Sequence, residues 1–288
     1  MKSFAVVAPL LSALASAKTY QVSESYVGED FYNGFDFQAV ADPTNGRVNY
    51  VDMWTAQGRN LTFTTSTMTH SSVADDMFLL RTDCWSYLDP NGAGRDSVRI
   101  QSKNTYTNHV SVFNVRHMPQ GCGTWPAMWY ADVNNWPGAG EIDVLEGVND
   151  VVPDAATLHT TAGCTMPDNR AMLGTPTQSD CNHDVNGNAG CGVRLTSGNS
   201  YGPNFNANGG GWFVTERTDE AISIWFWERN DPNVPIGVKE RHSDIISENW
   251  GTPQAYFPST NCDFSSHFGP LRAFGESYFD IANIDIYV

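Results

Sequence analysis

Past its first seventeen residues the chain places apolar residues in short runs, many alternating with polar ones, separated by clusters of Gly, Asn, Asp and Pro. Val48-Asn49-Tyr50-Val51, Leu61-Thr62-Phe63-Thr64, Ser97 to Ser102, Val110 to Val115, Ala221 to Trp227 and the closing Phe279 to Val288 are of this kind. A period of two puts alternate side chains on opposite faces of a strand, and no long stretch sustains the 3.6-residue period of a helix. The pattern therefore predicts an all-β chain folded as a sandwich of antiparallel sheets, with a strand at the C-terminus. Trp225 and Trp227 share parity and so share one face. Between Cys164 and Gly211 the periodicity lapses into Gly, Asn and Asp, which predicts a long ordered loop held by cysteines rather than a linker.

The start of the chain reads differently. Met1-Lys2, an apolar stretch from Phe4 to Leu14 and the small residues Ala15-Ser16-Ala17 have the form of a secretory signal peptide over residues 1–17. The stretch is too short for a membrane anchor. The expected mature chain is 18–288, one secreted, extracellular domain that leaves the membrane once the signal is removed. In an oxidising compartment the six cysteines favour disulfides over metal or redox chemistry, and two of Cys164, Cys181 and Cys191 are expected to close the loop they share. Asn60-Leu61-Thr62 is the one N-glycosylation sequon; it falls in a predicted strand, and both the glycosylated and the unmodified state stay open.

A net charge of −16 disfavours nucleic acid and acidic membrane surfaces as partners. Nine Trp, eleven Tyr and fifteen Phe against 17% charged residues suit a surface that stacks on sugar rings, although most of these aromatics are expected in the core.

The segment Gly140-Glu141-Ile142-Asp143-Val144-Leu145-Glu146 carries the chemistry. In a regular strand Glu141 and Asp143 share a face and Glu146 points to the other. One extra residue within Val144-Leu145, a β-bulge, would return Glu146 to their side. Three acids on one face repel each other, a cost that a purely structural strand has no reason to carry. A retaining glycosidase has one: it needs two carboxyl groups roughly 5–5.5 Å apart, one ionised to attack the anomeric carbon and one protonated to release the leaving oxygen. Repulsion from an ionised Glu141 would keep Glu146 protonated, and Asp143 would share in the proton distribution. The competing readings are a solvated acidic strand and a calcium site. Calcium loops alternate Asp and Asn with Gly, where Ile, Val and Leu stand here, so no metal is expected.

With Gly123-Thr124-Trp125-Pro126-Ala127-Met128-Trp129 before it, Trp136-Pro137 between, and Gly94 to Ile100 and Leu158-His159-Thr160 around it, this segment resembles glycoside hydrolase family 16. The closer likeness is to the fungal laminarinase-like endo-1,3(4)-β-glucanases. The resemblance implies a concanavalin A-like β-jelly-roll sandwich with an open polysaccharide cleft and a retaining mechanism. It implies Glu141 as nucleophile, Glu146 as acid/base and Asp143 as the assisting aspartate. The spacing Glu-x-Asp-x-x-Glu matches the bulged glucanase-like branch rather than the xyloglucan transglycosylases. Trp129 and Trp136 would line subsites beside the scissile bond, with core packing as the alternative, above all for Trp129. His159 would bond Asp143, Glu146 or a sugar hydroxyl. Arg99 would donate to a hydroxyl or fix a carboxylate, or else stand exposed on its strand.

The expected partner is a β-glucan and the expected state a monomer. No cofactor is called for, since carboxylates and water suffice. A non-catalytic glucan-binding protein and a cell-wall transglycosylase are the alternatives. The first gains nothing from clustered acids; the second differs only in the acceptor.

Overall fold

The computed structural model describes residues 18–65, 77–276 and 279–288. The signal peptide expected at 1–17 lies outside them. Among the described residues two large antiparallel sheets face each other. Eight strands form one, in the order Thr175–Pro176, Val193–Arg194, Ala155–His159, Glu141–Glu146, Ala127–Ala131, Arg272–Glu276, Arg99–Ser102 and Phe35–Phe37. The other is built around His109–His117, flanked by Gly211–Arg217 and the C-terminal Phe279–Tyr287, with Ala221–Glu228 and Thr19–Tyr26 beyond. This is the sandwich that the period-two runs predict.

Alternation decides what each sheet contributes. Ile100, Met128, Tyr130, Ile142 and Leu158 point inward from the first sheet and meet Phe113, Val115, Phe213, Ile222 and Ile224 from the second in one buried core. The opposite residues of the first sheet are left for a cleft. The second sheet is apolar on both faces, because its outer side carries another cluster: Tyr20, Trp212, Trp225 and Trp227, covered by Val234, Val238 and Ile245. The two tryptophans of equal parity thus share this outer face. Among the described residues no helix is long and apolar enough to cross a membrane.

Several local readings change. The 97–102 run divides at Val98 into Arg95–Ser97 and Arg99–Ser102, and the first of these pairs in parallel with Val48–Tyr50, an exception to the antiparallel rule. The 164–211 segment is not all loop: it contributes the edge strand Thr175–Pro176, the strand Val193–Arg194 beside it and the helix Gly202–Ala207. Asn60 lies in no strand. It is exposed, with φ +52°, in the turn that ends the helix Met53–Gly58, a left-handed position that Asn tolerates; the strand begins at Thr62. Four of the six cysteines pair. Cys181–Cys191 closes the shared loop as expected, Cys164 reaches Cys262, and Cys84 and Cys122 are exposed free thiols.

Entry into the acidic strand depends on Gly140. Its φ of +75° lies in the left-handed region, and a Cβ there would come within 2.4 Å of Phe268 Cδ1 and 2.5 Å of the His267 carbonyl oxygen. Gly140→Ala is therefore expected to destabilise the fold by about 1–3 kcal/mol, read as a lowered midpoint in denaturant unfolding. An unchanged midpoint would show that the turn relaxes freely and does not set the strand.

Candidate active site

Opposite the neighbouring strand, Asp143 pairs with Trp129 and Leu145 with Met128, so Val144 is the additional residue; on the other side the register shifts between Asp143 and Glu146. The bulge thus sits within Val144-Leu145. Both of those side chains are fully buried in the core, while Glu141, Asp143 and Glu146 line the same cleft. The energetics favour it. A disturbed ladder forfeits about 0.5–1.5 kcal/mol per net hydrogen bond, whereas a fully buried Val or Leu contributes about 1.5–3 kcal/mol.

The cleft encloses about 1610 Å³ across the outer face of the eight-stranded sheet. His159 is the register partner of Glu141 on the adjacent strand. Its Nε2 lies 3.4 Å from Asp143 Oδ2, and its Nδ1 lies 2.8 Å from Asn188 Oδ1. An amide oxygen only accepts, so this arrangement makes Nδ1 the donor and turns Nε2 toward the Asp143 carboxyl. Asn188 is delivered by the loop that the Cys181–Cys191 disulfide closes, and the backbone of Cys191 is bonded to Leu158 in the strand below.

Burial pushes the Glu141 carboxyl well above the ordinary glutamate range. The Asp143 carboxylate adds to the rise and His159 opposes it, as does the Trp136 indole N–H acting as donor. Spacing along the sequence places the rise on the second glutamate. The structure lifts the first, because its largest cause is desolvation, which spacing does not reveal. Glu141, Asp143 and His159 also bring one potential ligand atom each within 4.8 Å of one another. A cation held there would occupy the carboxylate lone pairs that attack on a sugar requires.

All four residues read as substrate contacts line this cleft. Trp136 is 39% exposed, edge-on to His183 at 5.2 Å. Trp129 is half-buried rather than in the core: it stacks on Phe274 at 4.3 Å, with the Arg99 guanidinium 4.9 Å from its ring. Arg99 is buried, not exposed, and donates through Nε to Gln38 Oε1 at 2.8 Å. Three residues escape the sequence reading. Trp125, 52% exposed, donates its indole N–H to Glu146 Oε1 at 2.8 Å; Asn188 orients His159; Asp154 accepts from the Glu146 backbone N–H at 2.9 Å. Only Trp125 leaves a signal, its place in the Gly123 to Trp129 motif.

Comparison with known proteins places these features in a family. The profile described as XgeA-like, catalytic GH16 domain, matches residues 35–274. A probable endo-1,3(4)-β-glucanase of Aspergillus fumigatus is 40% identical over 268 residues, covering 91% of this chain and 39% of that protein. A probable glycosidase of Schizosaccharomyces pombe is 38% identical, covering 89% and 58%. The chain thus spans about two fifths of the Aspergillus relative's length. Among solved structures, the GH16 laminarinase 16A of Phanerochaete chrysosporium, with 6-O-glucosyl-laminaritriose in both donor and acceptor sites, is 44% identical. It superposes with a TM-score of 0.89, covering 94% of this chain and all of that one. An elongating GH family 16 β-1,3-glucosyltransferase is 29% identical with a TM-score of 0.83, over 93% of this chain and 100% of that one. On the extent of the profile match and of these identities, the chain belongs to glycoside hydrolase family 16.

Proposed function

We propose that the chain is a secreted, retaining endo-β-glucanase that hydrolyses β-1,3-glucosidic bonds in laminarin-like and mixed β-1,3/1,4 glucans, with residues 18–288 as its catalytic domain. The observation that carries the reading is the bulge at Val144, which brings the Glu141 and Glu146 side chains into one cleft. The relatives named as endo-1,3(4)-β-glucanases, and the laminarinase bound to a branched laminari-oligosaccharide, support the substrate class.

In this reading Glu141 attacks the anomeric carbon as carboxylate while Glu146 delivers a proton to the departing glucosyl oxygen. A glucosyl ester forms on Glu141 and the aglycone leaves as an alcohol. Glu146, now ionised, takes a proton from water as that water attacks the ester, and the product leaves with its configuration retained. Asp143 assists beside the nucleophile, with His159 Nε2 3.4 Å from its carboxyl. The Trp125 indole N–H orients the Glu146 carboxyl, and Trp129 and Trp136 offer stacking faces to pyranose rings. Exposure of Asn60 suits a glycan there.

The transglycosylase reading keeps one specific support, the structural likeness to an elongating glucosyltransferase. Products from laminarin, lichenan and pustulan, resolved by size, separate the readings. Shorter oligosaccharides are expected. Monomer alone contradicts endo action, and products longer than the substrate favour transfer.

Glu141→Ala is expected to abolish turnover. Glu146→Ala should cost on the order of 10²–10⁴-fold on laminarin and much less on an aryl glycoside with a good leaving group, with azide restoring rate to this variant. Absence of any azide rescue would remove Glu146 from the acid/base role.

A second test uses the raised Glu141 carboxyl. The folded chain holds its proton to a higher pH than the unfolded chain does. The stabilisation this gives is full below the unfolded-state value and is lost as pH rises through the folded one. Glu141→Gln, which cannot ionise, should therefore raise the melting temperature at pH 8 and leave it nearly unchanged at pH 4. In the wild type the acid limb of kcat/KM should lie above the ordinary glutamate range, because the nucleophile must be ionised. Equal melting shifts at both pH values would contradict the assignment.

A further inference from the structure

Asp154 is a fully buried carboxylate outside the cleft, directly behind the acidic strand. Its main chain is held independently of its side chain: the N–H donates to Ser200 Oγ at 2.9 Å, and the carbonyl accepts from Leu195 N–H at 3.0 Å. Ser200 is itself fixed by donation to the Ser197 carbonyl at 2.7 Å. The side chain has a different task. Oδ1 accepts the N–H of Glu146 at 2.9 Å, and the N–H of Ala155 lies against the same carboxyl. Glu146 and Ala155 are register partners at the point where the bulged strand rejoins its neighbour. Asp154 therefore ties the two strands together where the Glu146 side chain departs toward the cleft. Behind it the Tyr201 ring is buried, so close to Gly147 that a Cβ there would lie 2.6 Å from Tyr201 Cζ. The residue after Glu146 has no room to shift in that direction.

Resting on the acid/base reading of Glu146, we infer that Asp154 is a positioning residue for the glycosylation step, holding the end of the bulge so that the Glu146 carboxyl meets the leaving oxygen. Burying a carboxyl is costly unless it is bonded, and this one makes its 2.9 Å side-chain bond to the backbone of the proposed acid. Burial pushes Asp154 well above the usual aspartate range, and the Glu146 and Asp143 carboxylates add to the rise. This favours a neutral carboxyl, which accepts from the Glu146 N–H without adding a second full charge under the site.

The test is the dependence of kcat/KM on the leaving group, because it separates loss of acid assistance from general damage. Asp154→Ala is expected to lose about 10²-fold on laminarin and at least tenfold less on an aryl β-laminari-oligosaccharide with a good leaving group. Asp154→Asn keeps a neutral acceptor oxygen and should retain most of the laminarin activity. If Asp154→Ala does not unfold cooperatively, the same ratio is read on Asp154→Ser. Equal losses on both substrates, or no loss on laminarin, overturn the inference. Glu146→Ala measured alongside distinguishes the two levels. If it shows leaving-group dependence and the Asp154 variants do not, only the positioning role fails. If it shows none, the acid/base reading fails and takes the positioning role with it.

Discussion

A strand offers one face only at every second residue, and Glu141 and Glu146 are five residues apart. The insertion of Val144 reconciles these facts, and the surrounding structure depends on it. Without it Glu146 would enter the core between the sheets, where an unpaired carboxyl is far more costly than any apolar residue it displaced. With it, Val144 and Leu145 both occupy that core and three acids emerge on one side. The bulge is thus held from both directions: apolar burial draws two consecutive side chains inward, and the carboxylate is kept at the solvent-facing wall.

The same arrangement makes the cleft a place of electrostatic tension. Asp143 is buried beside Glu141, whose carboxyl burial lifts, and Asp154 lies buried beneath Glu146. None of this favours folding. It is sustained by the two-sheet core and by the second apolar cluster on the far side of the other sheet, so that stability is supplied where no chemistry occurs. The polar contacts near the acids orient rather than neutralise them: Asn188 sets His159, His159 meets Asp143, and Trp125 meets Glu146.

What the sequence discloses follows from how local each cause is. Alternation is written into consecutive residues, so the sandwich, the C-terminal strand and the shared face of Trp225 and Trp227 can be read directly. The bulge can be read because strict alternation from the apolar Ile142 and Val144 would send Glu146 inward with them. Contacts between distant segments leave no such trace. Asn188 reaches His159 through a loop 29 residues on, and the buried Arg99 donates to Gln38 from a distant segment. Burial hides itself in the same way, which is why spacing along the chain does not reveal the desolvation that lifts the Glu141 carboxyl. Asn60 misleads for the opposite reason: the apolar run beginning at Leu61 is real, but a short helix ends just before it.

In the proposed mechanism a glucosyl ester on Glu141 would be indifferent to whether water or a sugar hydroxyl attacks it, and Glu146 as base would serve either acceptor. On that mechanism the carboxylate strand would define the bond that is broken and leave the destination of the sugar open. That choice belongs to the walls of the cleft, which hold or fail to hold a second glucan long enough to outcompete water. Here those walls are irregular segments bearing Trp85, Tyr87, Trp125 and Trp136. Loops tolerate change that a bulged catalytic strand does not. Both a family 16 laminarinase and an elongating family 16 glucosyltransferase superpose on this chain, so the sheets they share with it do not by themselves separate hydrolysis from transfer.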